Sequence, residues 1–270
     1  MPRSRATPLR HGFTLLEVMV VAAIIALLLA ILVPSLDSAR RQARRTLCAS
    51  NLAQQARAWH AYLNDNRGFF HQLTRAELNY GGRQGEGSPQ FGANPKVPVR
   101  KPLNRYLGLP VVTRDRAEPF LCPDDAGTPQ ARPTAFWYYG TSYRTNPMLI
   151  GPTAVNVSRP NDPCADAVFK PVNQRLAGLN RSRVANESRL LLIGDHGWSY
   201  TWDLGITDRN DLLAVNWHRR LHFHNLAFLD GHVSFIRVRK GIHTDGQYTV
   251  IPFRDLQAAA TSCQVEVADE

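Results

Sequence analysis

The chain has 270 residues, enough for one sizeable domain and a separate membrane or linker helix. Its net charge is +10, a basic balance that suits nucleic acids, acidic polymers or membrane surfaces. The sequence contains no Gly-rich phosphate-binding motif, no Gly-x-Ser-x-Gly nucleophile elbow and no CxxC pair, which argues against nucleotide binding, an α/β-hydrolase and a zinc ribbon. It also contains no nucleic-acid-binding motif, so no nucleic acid partner is expected.

An apolar run dominates the N-terminal region. Every side chain in residues 18–33 is apolar, and only Thr14 and Glu17 are polar within residues 13–33. A helix rises about 1.5 Å per residue, so residues 13–33 come close to the roughly 30 Å of a bilayer core. The run therefore predicts a transmembrane helix.

Glu17 is unusual because a carboxylate near the start of a membrane helix is costly, and such residues are usually paired or functional. It ends the stretch Gly12-Phe-Thr-Leu-Leu-Glu17, which resembles the processing signal of type IV prepilins and type II secretion pseudopilins. The resemblance implies that prepilin peptidase cuts between Gly12 and Phe13 and N-methylates Phe13. It also assigns Glu17 and Pro34 to assembly, with Glu17 paired to a neighbouring subunit's N-terminal ammonium. Two charges that are unfavourable apart in lipid offset each other when paired.

Two simpler interpretations of this segment are a plain signal anchor and a cleaved secretory signal peptide. Residues 34–39 fit a signal-peptidase site poorly, and a plain anchor would not require the stretch that begins at Gly12. Charge does not decide the orientation, because arginines lie on both sides of the apolar run. The prepilin resemblance implies that residues 1–12 are a cytoplasmic leader in a single-pass inner-membrane protein. The head would then lie in the periplasm or at the cell surface.

Pro34 is predicted to kink the helix without ending it, because apolar residues continue at helical spacing beyond it. Turn-forming residues cluster at 64–68. One helix is therefore predicted over residues 13–65, roughly 75–80 Å long at 1.5 Å per residue. Its second half is amphipathic and needs a covering surface. The apolar stripe consists of Leu36, Ala39, Ala43, Leu47, Cys48, Leu52, Ala56, Trp59 and Leu63.

Residues 66–270 are predicted to form an exported head, and the fold class is α+β, with the long helix packed on an antiparallel sheet, as the pilin resemblance implies. The apolar run Arg189–Gly194 is typical of a buried strand. Residues 224–229 and 233–238 flank Asp230-Gly231, which is a strong hairpin signal.

The remaining parts of the head carry weaker signals. Turn-forming residues are frequent in residues 80–100 and 151–175, which are predicted to be loops. Residues 255–270 are expected to be a frayed tail. The chain's four cysteines allow three disulfide pairings in an oxidising compartment, and a free Cys48 on the helix face is an equal alternative. They are Cys48, Cys122, Cys164 and Cys263.

The C-terminal part of the head carries a second resemblance. Residues 225–233 resemble the end of a pilin-like family described by His, nine residues, then Asp-Gly, which is abundant in planctomycete-type bacteria. The pattern departs from the family because Arg220 occupies the histidine position, so His218, His222 or His224 would have to replace it. The family implies exported pilin-like subunits without established catalysis. Further family-like blocks lie at residues 102–107, 121–125 and 142–146.

Histidines and aspartates concentrate around the predicted hairpin. His222 and His224 share one face of a strand because side chains alternate, and Asp230 and His232 are expected to face them across the hairpin. Histidines with a carboxylate suit zinc, whereas a structural calcium, which some type II pseudopilins carry, would favour the aspartates. The alternative is that these residues lie on a face of the sheet without binding a metal and that the head needs no cofactor.

Two aromatic clusters, residues 137–139 and 198–202, suit either a sugar-binding platform or core packing. The head also exceeds the size of a minimal pseudopilin head, which indicates an added surface role, as in a tip or minor subunit.

The sequence therefore predicts a pilin-like subunit and not an enzyme. The expected partners are prepilin peptidase, the inner membrane and other pilin or pseudopilin subunits, in a type II secretion pseudopilus or a type IV pilus-like fibre. The main alternative is a membrane-tethered binding module at the cell surface with a polysaccharide or protein ligand. A third hypothesis is a metal-dependent hydrolase head.

Overall fold

The structure, a computed structural model, describes residues 14–70, 73, 75–150, 162–204 and 208–267. It confirms an α+β protein in which a long N-terminal helix precedes a four-stranded antiparallel sheet. The helices are α1 (Leu15–Asp65), α2 (Ala76–Asn79), α3 (Ala135–Tyr139), α4 (Lys170–Arg175), α5 (Trp198–Trp202), α6 (Arg209–Ala214) and α7 (Arg254–Cys263). The strands are β1 (Tyr143–Thr145), β2 (Leu191–Asp195), β3 (Phe223–Phe228) and β4 (Val233–Arg237).

Helix α1 continues through Pro34 and ends at Asp65. Gly68 adopts φ +81° and donates its N–H to the Leu63 carbonyl at 2.6 Å, which closes the helix end as only a residue tolerant of positive φ can. The chain divides into a compact unit that ends at Ala43 and a second that begins at Arg44. The second unit therefore includes the last part of α1, whose apolar side chains are buried within it.

The second half of the apolar stripe forms one wall of the core, as predicted. Cys48, Leu52, Ala56, Trp59 and Leu63 are each at most 1% exposed. The indole of Trp59 packs against the rings of neighbouring core residues. These are Tyr80 at 4.2 Å, Tyr62 at 5.6 Å and Phe70 at 5.9 Å between ring centroids. Apolar burial of this kind is the main source of folding free energy.

The sheet has the order β1-β2-β3-β4, and every neighbouring pair is antiparallel. Strand β2 is buried along its whole length, as the apolar run predicted. Strands β3 and β4 form the predicted hairpin, with Ala227 opposite Val233 and with Asp230 and Gly231 in the turn. Gly231 adopts φ +99°, which explains the glycine at this position of the turn.

Two segments predicted to lack regular structure are helical. Residues 165–175 form a π turn followed by α4, whereas the preceding residues 151–161 lie outside the described part of the chain. Helix α7 occupies much of the segment predicted to be a frayed tail, and it buries Leu256 and Ala260. The sequence did not predict α7 because the helix has few large apolar side chains and packs against distant parts of the chain.

Both disulfides lie in the unit that begins at Arg44. Cys48 pairs with Cys122 and Cys164 with Cys263, across sequence separations of 74 and 99 residues. One pairing of the three is thus selected, and the free Cys48 interpretation is wrong. The first disulfide joins α1 to the segment around Cys122, and the second joins the π turn to α7. Disulfides persist in oxidising compartments, so both are expected of an exported domain.

Candidate functional site: the assembly segment and the buried histidines

The first turn of α1 is closed by a reciprocal cap between Thr14 and Glu17. The backbone N–H and the hydroxyl of Thr14 both donate to Glu17 Oε2 at 2.8 Å, and the N–H of Glu17 donates to Thr14 Oγ1 at 3.3 Å. This is a capping box, in which threonine and the acid three residues later satisfy amide groups that the helix leaves unpaired. Glu17 therefore has a local structural role in addition to the predicted assembly role.

The other two predicted assembly features are placed differently. Gly12 and Phe13, the predicted cleavage site, lie outside the described residues. Pro34 lies inside α1, where it has no N–H to donate to the carbonyl four residues earlier.

The apolar part of α1 within the N-terminal unit is exposed along its whole length. The exposed fraction is 78% for Leu15, 69% for Ile31 and 56% for Val33. Among the described residues, α1 is the one helix long and apolar enough to cross a membrane, and its most apolar window has a mean hydropathy of 3.0 with none of it buried. A core helix of a soluble protein would bury such a window, whereas a membrane helix leaves it for lipid or for neighbouring subunits.

The structure separates the two pairs of the predicted metal site. Val238 N donates to the His222 carbonyl at 2.8 Å, so His222 lies at the start of the β3–β4 hairpin. Phe228 N donates to the His232 carbonyl at 3.0 Å, so His232 lies at the turn. At about 3.4 Å per strand residue, the two pairs are roughly 14–20 Å apart along the hairpin. His222, His224, Asp230 and His232 therefore do not form a single ligand set.

The individual pairs have local roles. His224 is 3% exposed, and its Nε2 lies 2.9 Å from Thr201 Oγ1. Burial lowers the pKa of His224 to about 3, so its ring is neutral. At the turn, His232 Nδ1 lies 2.7 Å from Asp230 Oδ1, and its ring stacks on Phe228 with centroids 4.3 Å apart. These contacts support the hairpin.

Two other groups of metal-ligand atoms come together within 4.8 Å in the described part of the chain. They are Cys48, Cys122 and His218, and Asp162, Cys164 and His243. Every cysteine in both groups belongs to a disulfide, and a disulfide sulfur lacks the thiolate charge with which cysteine binds metals. Neither group therefore offers a set of three ligands.

The His218 ring is buried between two carboxylates. Its Nε2 lies 2.8 Å from Asp195 Oδ2 and its Nδ1 lies 3.1 Å from Asp124 Oδ2, and its side chain is 2% exposed. Asp124 also lies 3.7 Å from Arg44 of α1, and Asn225 N donates to Asp195 at 2.8 Å. His218 therefore links the segment after Cys122 to strands β2 and β3.

The charge of His218 follows from these contacts. Burial disfavours the imidazolium, but Asp195 and Asp124 outweigh it and raise the pKa of His218 to about 9. The ring is therefore charged at neutral pH. The sequence offers His218 as one of several alternatives and Asp195 as another possible ligand, but it does not show that His218 pairs with Asp195 and Asp124, because the three residues come from distant parts of the chain.

Replacing His218 with Gln is expected to remove a pH-dependent contribution to stability. Because the pKa is higher in the folded state, the contribution is fully present below about pH 6.5 and is lost as pH rises through about 9. The pKa difference corresponds to about 3 kcal/mol. The measurement is chemical denaturation of the full-length protein in detergent at pH 6 and at pH 9.5, with His218→Gln beside the original chain.

The difference between the two proteins isolates His218 from other titrating groups. Burial lowers the pKa of Lys101 to about 7, so Lys101 gives stability the opposite slope at alkaline pH, but it does so in both proteins. The groups that face His218 are Asp124 with Arg44, Asp195, and the neutral His224. Equal pH profiles for the two proteins would contradict a charged His218.

Comparison with known proteins bears on the N-terminal segment. Residues 8–33 match the family model of the prokaryotic N-terminal methylation motif. No curated protein and no solved structure gives a match. The match supports a type IV pilin-like protein, a precursor of the pilin or pseudopilin type. The likeness of the C-terminal region to the His, nine residues, Asp-Gly family stays a prediction.

The motif and the exposed apolar helix together bear on how the protein is anchored and processed. They support a membrane-anchored single-pass protein. The motif implies processing by prepilin peptidase and assembly with other pilin subunits, which are structural proteins.

Proposed function

We propose that the chain is a pilin-like subunit of a type II secretion pseudopilus or a type IV pilus-like fibre. Prepilin peptidase cuts between Gly12 and Phe13 and methylates Phe13. Before assembly, the mature subunit is anchored in the inner membrane with its head exported. The observation that carries the proposal is that the methylation motif at residues 8–33 coincides with a capped, fully exposed apolar helix start.

The exposed apolar surface supports assembly by helix packing. The apolar side chains of residues 15–33 are exposed within the described part of the chain, and lipid can cover them before assembly. In a fibre, the same surfaces of neighbouring subunits would cover one another, as packed transmembrane helices do. The proposal therefore gives this segment two successive environments, the bilayer and the fibre core.

The head fits export and an added role at the fibre surface. Its two disulfides require an oxidising compartment to persist, which the periplasm provides. Its size favours a minor or tip subunit, since a large head is harder to repeat along a thin fibre. The proposal assigns no catalysis to the head.

The N-terminus of the protein from its native membrane is expected to be N-methylated Phe13. The measurement is mass spectrometry of the intact chain and of its N-terminal peptide. Gly12→Val is expected to leave the leader attached, because the peptidase would no longer recognise the residue before the cut. Ser4→Ala, a change in the leader away from the cut, serves as the matched control and is expected to be processed normally. A native chain that starts at Met1 or Pro2 would contradict the proposal and favour the membrane-tethered binding module.

A further inference from the structure

The head contains a cavity of about 300 Å³ outside the assembly segment and outside the His218 cluster. Residues of the edge strand β1 and of α2, α3 and α5 contribute to its lining. Pockets that bind small molecules start at about this size. The lining residues are Arg75, Glu77, Leu78, Gln90, Phe91, Gln130, Tyr138, Tyr139, Arg144, His196, Ser199, Tyr200 and Asp203.

Arg144 enters this cavity because of its position on β1. Tyr143 lies in the core, where its hydroxyl donates to the Cys48 carbonyl at 3.3 Å. Side chains alternate along a strand, so Arg144 points to the opposite face. There its Nη1 donates to Ser199 Oγ at 3.0 Å, and its Nε is buried without a hydrogen-bond partner. A guanidinium in this situation retains unused donors.

The charge of Arg144 is also unbalanced within the described residues. No described carboxylate lies within 4.0 Å of its guanidinium, whereas Arg75, the other cation of the cavity, lies 3.9 Å from Glu77. Arg144 is half-buried, with its Nε atom buried, and a guanidinium partly removed from water gains from an anionic partner. Asp203 also lines the cavity and is half-buried. An anionic group bound beside Arg144 would supply the missing partner, and a carboxylate fits the planar fork of arginine.

The remaining walls combine aromatic rings with neutral polar groups. Tyr139 stacks on His196 with centroids 5.0 Å apart, and Tyr200 lies 5.8 Å from His196. His196 is 1% exposed, and burial, followed by the charge of Arg144, holds its pKa well below the usual range, so the ring is neutral. The amide oxygens of Gln90 and Gln130 accept from Arg75 and Tyr200, which leaves their N–H groups to donate to ligand hydroxyls. Such walls suit a ligand with both apolar faces and hydroxyl groups.

We propose that this cavity binds a carboxylate-bearing saccharide unit, a hexuronate, with its carboxylate on Arg144 and its ring among Tyr138, Tyr139 and Tyr200. The proposal goes beyond the fibre role and does not depend on it. It also resolves the two interpretations of the aromatic clusters. Trp198 and Trp202 serve core packing alone. Tyr139 and Tyr200 are also buried, at 8% and 7% exposed, but together with the half-buried Tyr138 they line the cavity, which neither tryptophan does.

The test is calorimetric titration of the full-length protein in detergent with D-galacturonate, with D-galactose as the matched ligand that lacks the carboxylate. We expect galacturonate to bind and galactose to bind at least tenfold more weakly. Arg144→Met is expected to weaken galacturonate binding roughly 10- to 100-fold, the range for a lost hydrogen bond to a charged group. Arg105→Met, which removes a surface arginine paired with Asp65, is the control and is expected to bind as the original chain does.

A second variant protects the test against a folding defect. Ser199→Ala leaves the Arg144 charge in place and removes only the hydroxyl that positions it, so we expect a smaller loss, about three- to tenfold. Circular dichroism and the melting temperature establish that both variants remain folded. Equal affinity for galactose and galacturonate would overturn the carboxylate assignment. Absence of galacturonate binding, or unchanged binding by a folded Arg144→Met protein, would overturn the site.

Discussion

Glu17→Gln is expected to abolish incorporation of the protein into fibres while its membrane insertion stays unchanged. Glutamine at this position can keep the capping box with Thr14, because its side-chain oxygen accepts the same hydrogen bonds. It cannot carry the negative charge that the proposal pairs with a neighbouring subunit's N-terminal ammonium. The substitution therefore separates the charge of Glu17 from its capping role. The measurement is immunoblotting of sheared fibres and of carbonate-washed membranes.

Thr14→Val supplies the reciprocal control. It removes the hydroxyl from the capping box but keeps the Glu17 charge, and loss of an N-cap costs about 0.5–2 kcal/mol of helix stability. We expect this variant to assemble at a reduced level, since the lipid and the apolar run still hold the helix. If the Glu17→Gln protein assembles normally and the Thr14→Val protein does not, Glu17 acts only in the helix cap. If both assemble normally, the segment is a tether and the binding-module alternative becomes the better account.

The parts of the fold that were predicted correctly are those specified by local patterns. The apolar run is long enough to span a bilayer as a helix, and the stripe ending at Leu63 repeats at helical spacing, so both define α1 without knowledge of distant residues. The hairpin follows in the same way from two strand-like runs around Asp230-Gly231. In both cases, neighbouring residues in the sequence supply the structural information.

The parts that were missed depend on contacts between distant residues. The metal hypothesis placed His222 and His232 together because both are near the hairpin in sequence, but the register of the strands puts them at opposite ends. Arg144 gave no signal of its own, because its hydrogen bond to Ser199 is a contact across 55 residues. Neither feature has a local pattern that a single sequence can show.

Removal of either disulfide is expected to destabilise the head by about 2–4 kcal/mol, or roughly 4–16 °C in Tm for a domain of this size. The two variants are Cys48→Ala with Cys122→Ala and Cys164→Ala with Cys263→Ala. Loop-closure entropy depends on the logarithm of loop length, so loops of 74 and 99 residues should give nearly equal losses. The measurement is thermal unfolding of the full-length protein in detergent, with reducing agent added to the original chain as a comparison.

The two variants should differ in the segments where hydrogen exchange increases. Loss of Cys164–Cys263 releases α7, which buries only Leu256, Gln257 and Ala260, so hydrogen exchange should rise first across Arg254–Cys263. Loss of Cys48–Cys122 should instead raise exchange around Asp124, because Cys122 holds that segment against α1 and beside His218. The same exchange pattern in both variants would contradict separate roles. Distinct patterns would mean that one disulfide fixes α1 to the head, while the other holds a C-terminal helix too weakly apolar to dock alone.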